Sequence, residues 1–122
     1  MLRVKPSALF KHTDLALHLD EKKIGNRMFF GGNLLRQPVF VQLRKDRPEA
    51  FRVISQTGKA LTSAELELLL STSTAANSST SPLPGADAIM NQALFLGTYP
   101  GLTKEMMDYE IEIIRNFVRA KN

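Results

Sequence analysis

The 122-residue sequence contains no cysteine and no tryptophan. Without cysteine this chain can form no disulfide, no thiolate zinc site and no cysteine-ligated iron–sulfur cluster, and it has no cysteine nucleophile. That composition fits a reducing compartment. No stretch approaches the roughly 20 consecutive apolar residues that a membrane-spanning helix needs. The N-terminal MLRVKPSALFKHTD is basic but lacks the long apolar centre of a signal peptide. The expected setting is cytoplasmic, with no membrane partner. Catalytic signatures are missing too. There is no G-x-G-x-x-G, no G-x-S-x-G elbow and no phosphate loop, since Gly58-Lys59 lacks the earlier glycine and the following hydroxyl. The only histidines, His12 and His18, are not spaced as an i, i+4 ligand pair. Asp108, Glu110 and Glu112 read as the solvated side of an amphipathic helix. The expectation is no catalytic residue and no metal ligand in this chain.

The formal net charge is +4, from 16 basic and 12 acidic residues. The basic residues are dispersed: Lys22-Lys23, then Arg44, Lys45 and Arg47, then Arg115, Arg119 and Lys121. They are not interleaved with aromatics as in single-strand binders, so no nucleic-acid partner is expected. A solvated face is the first reading, and an anionic small molecule the second.

The length allows one domain, and 43% hydrophobic residues suffice for a core with little surplus. Residues 6–12 read as a short strand. Thr13 or Asp14 then caps a helix with Leu15 and Leu19 on one face, stopped by Gly25. Residues 26–31 read as a buried strand, and PVFVQL (38–43) and FRVIS (51–55) as two more, joined by the turn RKDRPEA. Thr62 and Glu65 form a capping box for the helix TSAELELLLS, with Leu61 and Leu66 as its hydrophobic staple. Residues 71–85, Ser/Thr-rich with two prolines, read as a flexible insertion. The sequon at Asn77 within it reads as chance in a Ser-rich tract. A helical turn at 86–92, a strand ALFLGTY and a final helix capped by Thr103 complete the chain. That helix carries a broad apolar stripe, Met106, Tyr109, Ile113 and Phe117 with Met107, Ile111, Ile114 and Val118 alongside. The fold class expected is α+β, a small antiparallel sheet with helices packed on one face.

The stretch RMFFGGNLLRQP, residues 27–38, carries the chemistry that remains. Glycine permits positive φ and close backbone approach, so Gly31 and Gly32 let a strand swerve and present its main chain. Asn33 offers both a donor and an acceptor, and Arg36 a planar fork suited to phosphate or carboxylate. A plain turn with solvated polar groups is the alternative on chemistry alone.

HLDEKKIGNRMFFGGNLLRQPVF and ADAIMNQALFLGTYPGLTKEMMDYEIEIIRNFV together resemble the C-terminal end of the DegT/DnrJ/EryC1/StrS family. These are sugar-nucleotide enzymes of the aspartate aminotransferase fold. The likeness is strongest to the 3-dehydrase branch that acts on CDP-4-keto-6-deoxy-D-glucose in lipopolysaccharide deoxysugar synthesis. GGN-x-x-RQP and IMN…G-x-YPGLT are its specific pieces, and the matching elements cover about two-thirds of the chain. The resemblance implies that residues 1–122 are the small C-terminal domain of that fold, without its large domain. It implies that Gly31, Gly32, Asn33 and Arg36 face a cleft and help to hold a nucleotide-linked sugar. In the family the large domain carries pyridoxal or pyridoxamine phosphate and, in the dehydrase branch, an iron–sulfur cluster. The implied partners are a large cofactor-binding domain or chain, the nucleotide-linked sugar, and a second copy in a homodimer. No cofactor is expected in this chain, and alone it is expected to be inactive. A non-catalytic interaction or dimerisation module is the second reading. Residues 56–85 replace a short family connection and inherit no role.

Overall fold

The computed structural model describes residues 1–55, 57–73 and 80–121. The element order is β1 (Leu2–Arg3), α1 (His12–Glu21), β2 (Asn26–Met28), α2 (Pro38–Asp46), α3 (Ser63–Thr72), α4 (Pro84–Gln92), β3 (Ala93–Leu96) and α5 (Lys104–Lys121), with short 3-10 turns at Leu34–Arg36 and Pro48–Ala50. Among the described residues this is an α+β fold with a three-stranded antiparallel sheet and five α-helices. The tertiary contacts divide the chain into two compact units, Met1–Phe29 with Gln92–Asn122, and Phe30–Asn91.

The first unit holds the sheet, in the order β1-β3-β2. Leu2 pairs with Leu94, and Asn26, Arg27 and Met28 pair with Leu96, Phe95 and Leu94. Side chains alternate across a strand, so Leu94 and Leu96 share one face. Both join the core of Val4, Leu15, Leu19, Ile24 and Phe117, with Ile113, Ile114 and Val118 packed around it. Burying each such side chain contributes roughly 1.5–3 kcal/mol. The second half of the α5 stripe is therefore core, whereas Met106, Met107, Tyr109 and Ile111 in its first half are exposed.

Local chemistry explains where α1 differs from expectation. The strand expected at 6–12 is absent; β1 lies earlier, and the helix starts at His12. Asp14 does not sit at the cap. It lies three residues beyond Lys11, and its carboxylate accepts from the Lys11 N–H at 2.8 Å. The helix stops at Lys22-Lys23 rather than at Gly25. Lys23 takes φ +61°, its N–H reaches Asp20 O at 3.0 Å, and the Ile24 N–H reaches Leu19 O at 2.9 Å. That is a Schellman close with lysine in the position usually held by glycine, and Leu19 and Ile24 supply its apolar contact. Asn26 is buried and ties β2 to α1 through Ala16 O and Asp20 Oδ1.

The second unit has its own core, Leu35, Val53 and Leu66 with Phe51, Leu61, Leu70 and Leu83 around it. Two strand expectations fail here. PVFVQL lies in helix α2, begun by Pro38 at its first position. Proline's fixed φ suits that place, and a short apolar run does not by itself distinguish strand from helix. FRVIS keeps only an isolated bridge from Ile54 to Ala60. The expected strand over 26–31 ends at Met28, and Phe30 is 87% exposed with φ +44°. The Thr62–Glu65 capping box forms as expected, with Thr62 N–H to Glu65 Oε2 at 2.8 Å. Leu61 and Leu66 meet in the same core. Within the stretch expected as a flexible insertion, residues 71–72 end α3 and α4 begins at Pro84. Residues 74–79, the Asn77 sequon included, lie outside the described residues.

Candidate functional site

The Gly31–Arg36 loop is built around one carboxylate. Asp87, on α4, has no exposed surface. Its Oδ1 accepts from Asn33 Nδ2 at 2.8 Å and from Arg36 Nε at 2.7 Å, and its Oδ2 accepts from Arg36 Nη2 at 3.0 Å. Two parallel N–H donations from one guanidinium make a bidentate, charge-assisted pair. Burial pushes the Asp87 carboxyl up. The bonds donated by Arg36, Ser81 and Asn33 outweigh that and hold it below the ordinary aspartate range. The same bond raises the Arg36 guanidinium. Asp87 is therefore an anion that orders the loop.

Each loop residue has a definite place. Asn33 is completely buried, and both ends of its amide are used within the chain. Its Nδ2 meets Asp87, and its Oδ1 accepts from the Leu35 N–H at 3.1 Å, capping the Leu34–Arg36 turn. Arg36 is 19% exposed in its side chain. Besides Asp87 it donates to Ser73 Oγ at 2.7 Å and to Leu70 O at 3.4 Å, joining the loop to the end of α3. The carbonyl of Gly31 accepts from Gln37 Nε2 at 2.7 Å. Gly32 has φ +61°, and a Cβ there would stand 2.5 Å from both Cβ and Cγ of Met90. Only glycine satisfies both that conformation and that approach. At Gly31 a Cβ would meet the Leu34 side chain at 3.1 Å and Gln37 Nε2 at 4.0 Å.

The structure thus brings Asn33 and Arg36 together on one acid and turns both inward, while Phe30 at 87% and Leu34 at 54% exposure face outward. A second inward cation supports the loop. Arg44 is buried, pairs with Glu67 Oε1 at 2.7 Å and donates to the carbonyl of Leu35. Sequence reading missed Asp87, Ser73 and the Arg44–Glu67 pair. Asp87 stands in the ADAIMNQ piece, but nothing local in a lone aspartate points to partners 51 and 54 residues away.

Every lysine in the chain is exposed, so none lies in a shielded pocket where it could hold an aldehyde cofactor. No cysteine is present for a cluster. The chain's own residues supply neither a shielded lysine nor a thiolate ligand. Among the described residues, no set of histidine and acidic side chains could hold a metal ion, and no helix is long and apolar enough to cross a membrane.

No family model matches the chain. Curated proteins do. Over 116 residues, 95% of this chain and 19% of the other protein, it is 30% identical to the lipopolysaccharide biosynthesis protein RfbH of Salmonella typhimurium. Over 117 residues, 96% of this chain and 18% of the other, it is 28% identical to dTDP-4-dehydro-2,6-dideoxy-D-glucose 3-dehydratase of Saccharopolyspora spinosa. The chain spans less than a fifth of the length of these relatives. Along nearly its whole length, then, this chain is similar to a lipopolysaccharide biosynthesis protein and to a sugar-nucleotide 3-dehydratase.

Proposed function

We propose that this chain is the substrate-covering C-terminal domain of a sugar-nucleotide 3-dehydratase in deoxysugar or lipopolysaccharide synthesis. It would have the small-domain architecture of the aspartate aminotransferase fold. In this reading a large domain, on the same or another polypeptide, holds pyridoxal or pyridoxamine phosphate and the groups that remove the 3-hydroxyl. The loop Gly31–Arg36 closes over the nucleotide-linked sugar. The observation that carries the reading is similarity over 95% and 96% of the chain to the two relatives above, one named as a 3-dehydratase. The loop's construction supports it. Asp87, Asn33 and Arg36 fix a bend that includes a positive-φ glycine, and such pre-ordering lowers the entropy cost of meeting a ligand. Asn33 serves by holding the bend. Gly31, Gly32 and the exposed edge of Arg36 are the parts nearest to a ligand.

The test is a chimera in which this chain replaces the matching segment of the Salmonella relative. Dehydration of the sugar nucleotide by the chimera is the expected result. A chimera that folds and loads cofactor but gives no dehydration would count against the assignment. The chain alone, mixed with pyridoxal phosphate, is expected to give no lysine aldimine absorbance band. A stable band would contradict the division of labour between domains.

A further inference from the structure

The sheet of the first unit ends at β1, which pairs with β3 on one side only. The Val4 N–H donates to Gln92 O at 2.8 Å. Hydrogen-bonded positions alternate along an antiparallel pair. Leu2 and Val4 therefore turn their main chain toward β3, and the N–H and C=O of Arg3 point to the outer edge. Such an edge is a template for another strand. A cavity of about 420 Å³ lies beside it, walled by Leu2, Val4, Phe10 and Leu15 and by Ile114 and Val118 of α5. Side chains alternate across a strand. A fourth strand hydrogen-bonded to Arg3 would place its central side chain on the Arg3 face. The residues flanking that centre would lie on the Leu2–Val4 face, over the cavity.

Charge selects what that strand is. Arg3, Lys5 and Ser7 are the polar residues of the cavity wall. Residues 1–13 hold Arg3, Lys5 and Lys11 and no acidic residue, and residues 113–121 hold Arg115, Arg119 and Lys121 and none. Among the described residues none of these cations forms a salt bridge. Arg3 Nε donates to the neutral Gln92 at 2.7 Å, which leaves the two terminal nitrogens for a carboxylate. Asp14, next to Leu15, already accepts from the Lys11 N–H. A second copy of this edge would set Arg3 against Arg3, and like charges directly opposite disfavour pairing. We infer that the β1 edge docks an extended polypeptide segment in which acidic and apolar residues alternate. Its main chain pairs with Arg3, one acidic side chain meets the Arg3 guanidinium, and the flanking apolar side chains fill the cavity. This edge owes nothing to the Gly31–Arg36 loop, so it stands or falls apart from the dehydratase reading.

The experiment is an NMR titration of the full 122-residue chain with three capped five-residue peptides. One alternates glutamate with valine, one lysine with valine, and one glutamate with serine. The glutamate–valine peptide should give saturable shifts at the Arg3 amide and at the methyl groups of Leu2, Val4 and Val118. It should bind about tenfold or more tighter than the glutamate–serine peptide, since burying one valine already contributes that factor. The lysine–valine peptide should not bind. Arg3→Glu should exchange the preference between the glutamate–valine and lysine–valine peptides. Arg3→Pro removes the outward N–H at a position where an edge strand tolerates proline, and it should abolish docking. Retained shift dispersion would show each variant folded, and the three peptides decide the matter on the unaltered chain if one is not. Equal binding of the glutamate–serine peptide would overturn the role of the cavity. Shifts that spare Arg3, or no binding of the glutamate–valine peptide at millimolar concentration, would overturn the docking edge. A homodimer joined through β1 would overturn the choice of an acidic partner.

Discussion

Replacing Asp87 by Asn is the most informative single perturbation. The carboxylate is fully buried and receives three donations from Asn33 and Arg36. Asparagine keeps the shape, removes the charge and turns an N–H toward donors. Removing one member of a buried ion pair costs about 3–5 kcal/mol, because the other charge stays behind. Arg36 is 19% exposed and keeps Ser73 as an acceptor, so the lower end, about 3 kcal/mol, applies. With a urea slope of roughly 1.5 kcal/mol/M, the unfolding midpoint should fall by about 2 M. The loss should be local to residues 30–91. Exchange protection of the Leu35 amide, which donates to Asn33, is the sharpest probe. Replacing both partners, Arg36→Met with Asp87→Leu, should cost less than the single change, since no charge is then stranded. The folded pKa of Asp87 lies below its unfolded value. Its contribution is therefore complete above the unfolded value near pH 4 and is lost as pH falls through the folded one. The Asn variant should lack that acid-side loss. A midpoint drop below about 0.5 M urea with Leu35 protection unchanged would refute the hub.

Gly32→Ala should destabilise by about 2–4 kcal/mol, from positive φ plus overlap with the Cβ and backbone of Met90. Gly31→Ala meets the flexible ends of Leu34 and Gln37 and should cost clearly less. Equal thermal midpoints for the two variants would contradict the geometry. Thr62→Ala removes the cap of α3 and should cost roughly 1 kcal/mol in chemical denaturation. Glu65, bonded to Lys59 and to Thr62, has its carboxyl lowered to about 2. Its contribution is present above the unfolded value near 4.5 and fades as the pH drops toward 2. A carboxyl carbon titration with a midpoint near 4.5 would show the box open in solution. His12 has a buried Nδ1 with no hydrogen-bond partner among the described residues, and burial pushes its imidazole below the usual 6.5. Stability from the neutral form holds above 6.5 and declines below it, so an NMR titration midpoint under 6.5 is expected.

Signals that reside within a few residues were legible. The Thr62–Glu65 box, the helix after Thr103 and the strand at ALFLGTY each rest on local chemistry. The family resemblance, too, came from short motifs. Where local signals compete, the reading failed. PVFVQL suited strand or helix equally, and Pro38 with the packing of Phe40 against Phe51 selected helix. Lys23 closes α1 because Ile24 must return to Leu19, a demand no propensity scale contains.

The sequence alone determined that the chain has no thiol chemistry and no stretch apolar enough to span a bilayer as a helix. It also marked the bend at Gly31-Gly32 and pointed to sugar-nucleotide enzymes. Only the tertiary structure decided which way the loop's side chains face. Asn33 and Arg36 turn inward because Asp87, more than fifty residues away, is brought beneath them, and a buried carboxylate draws in every nearby donor.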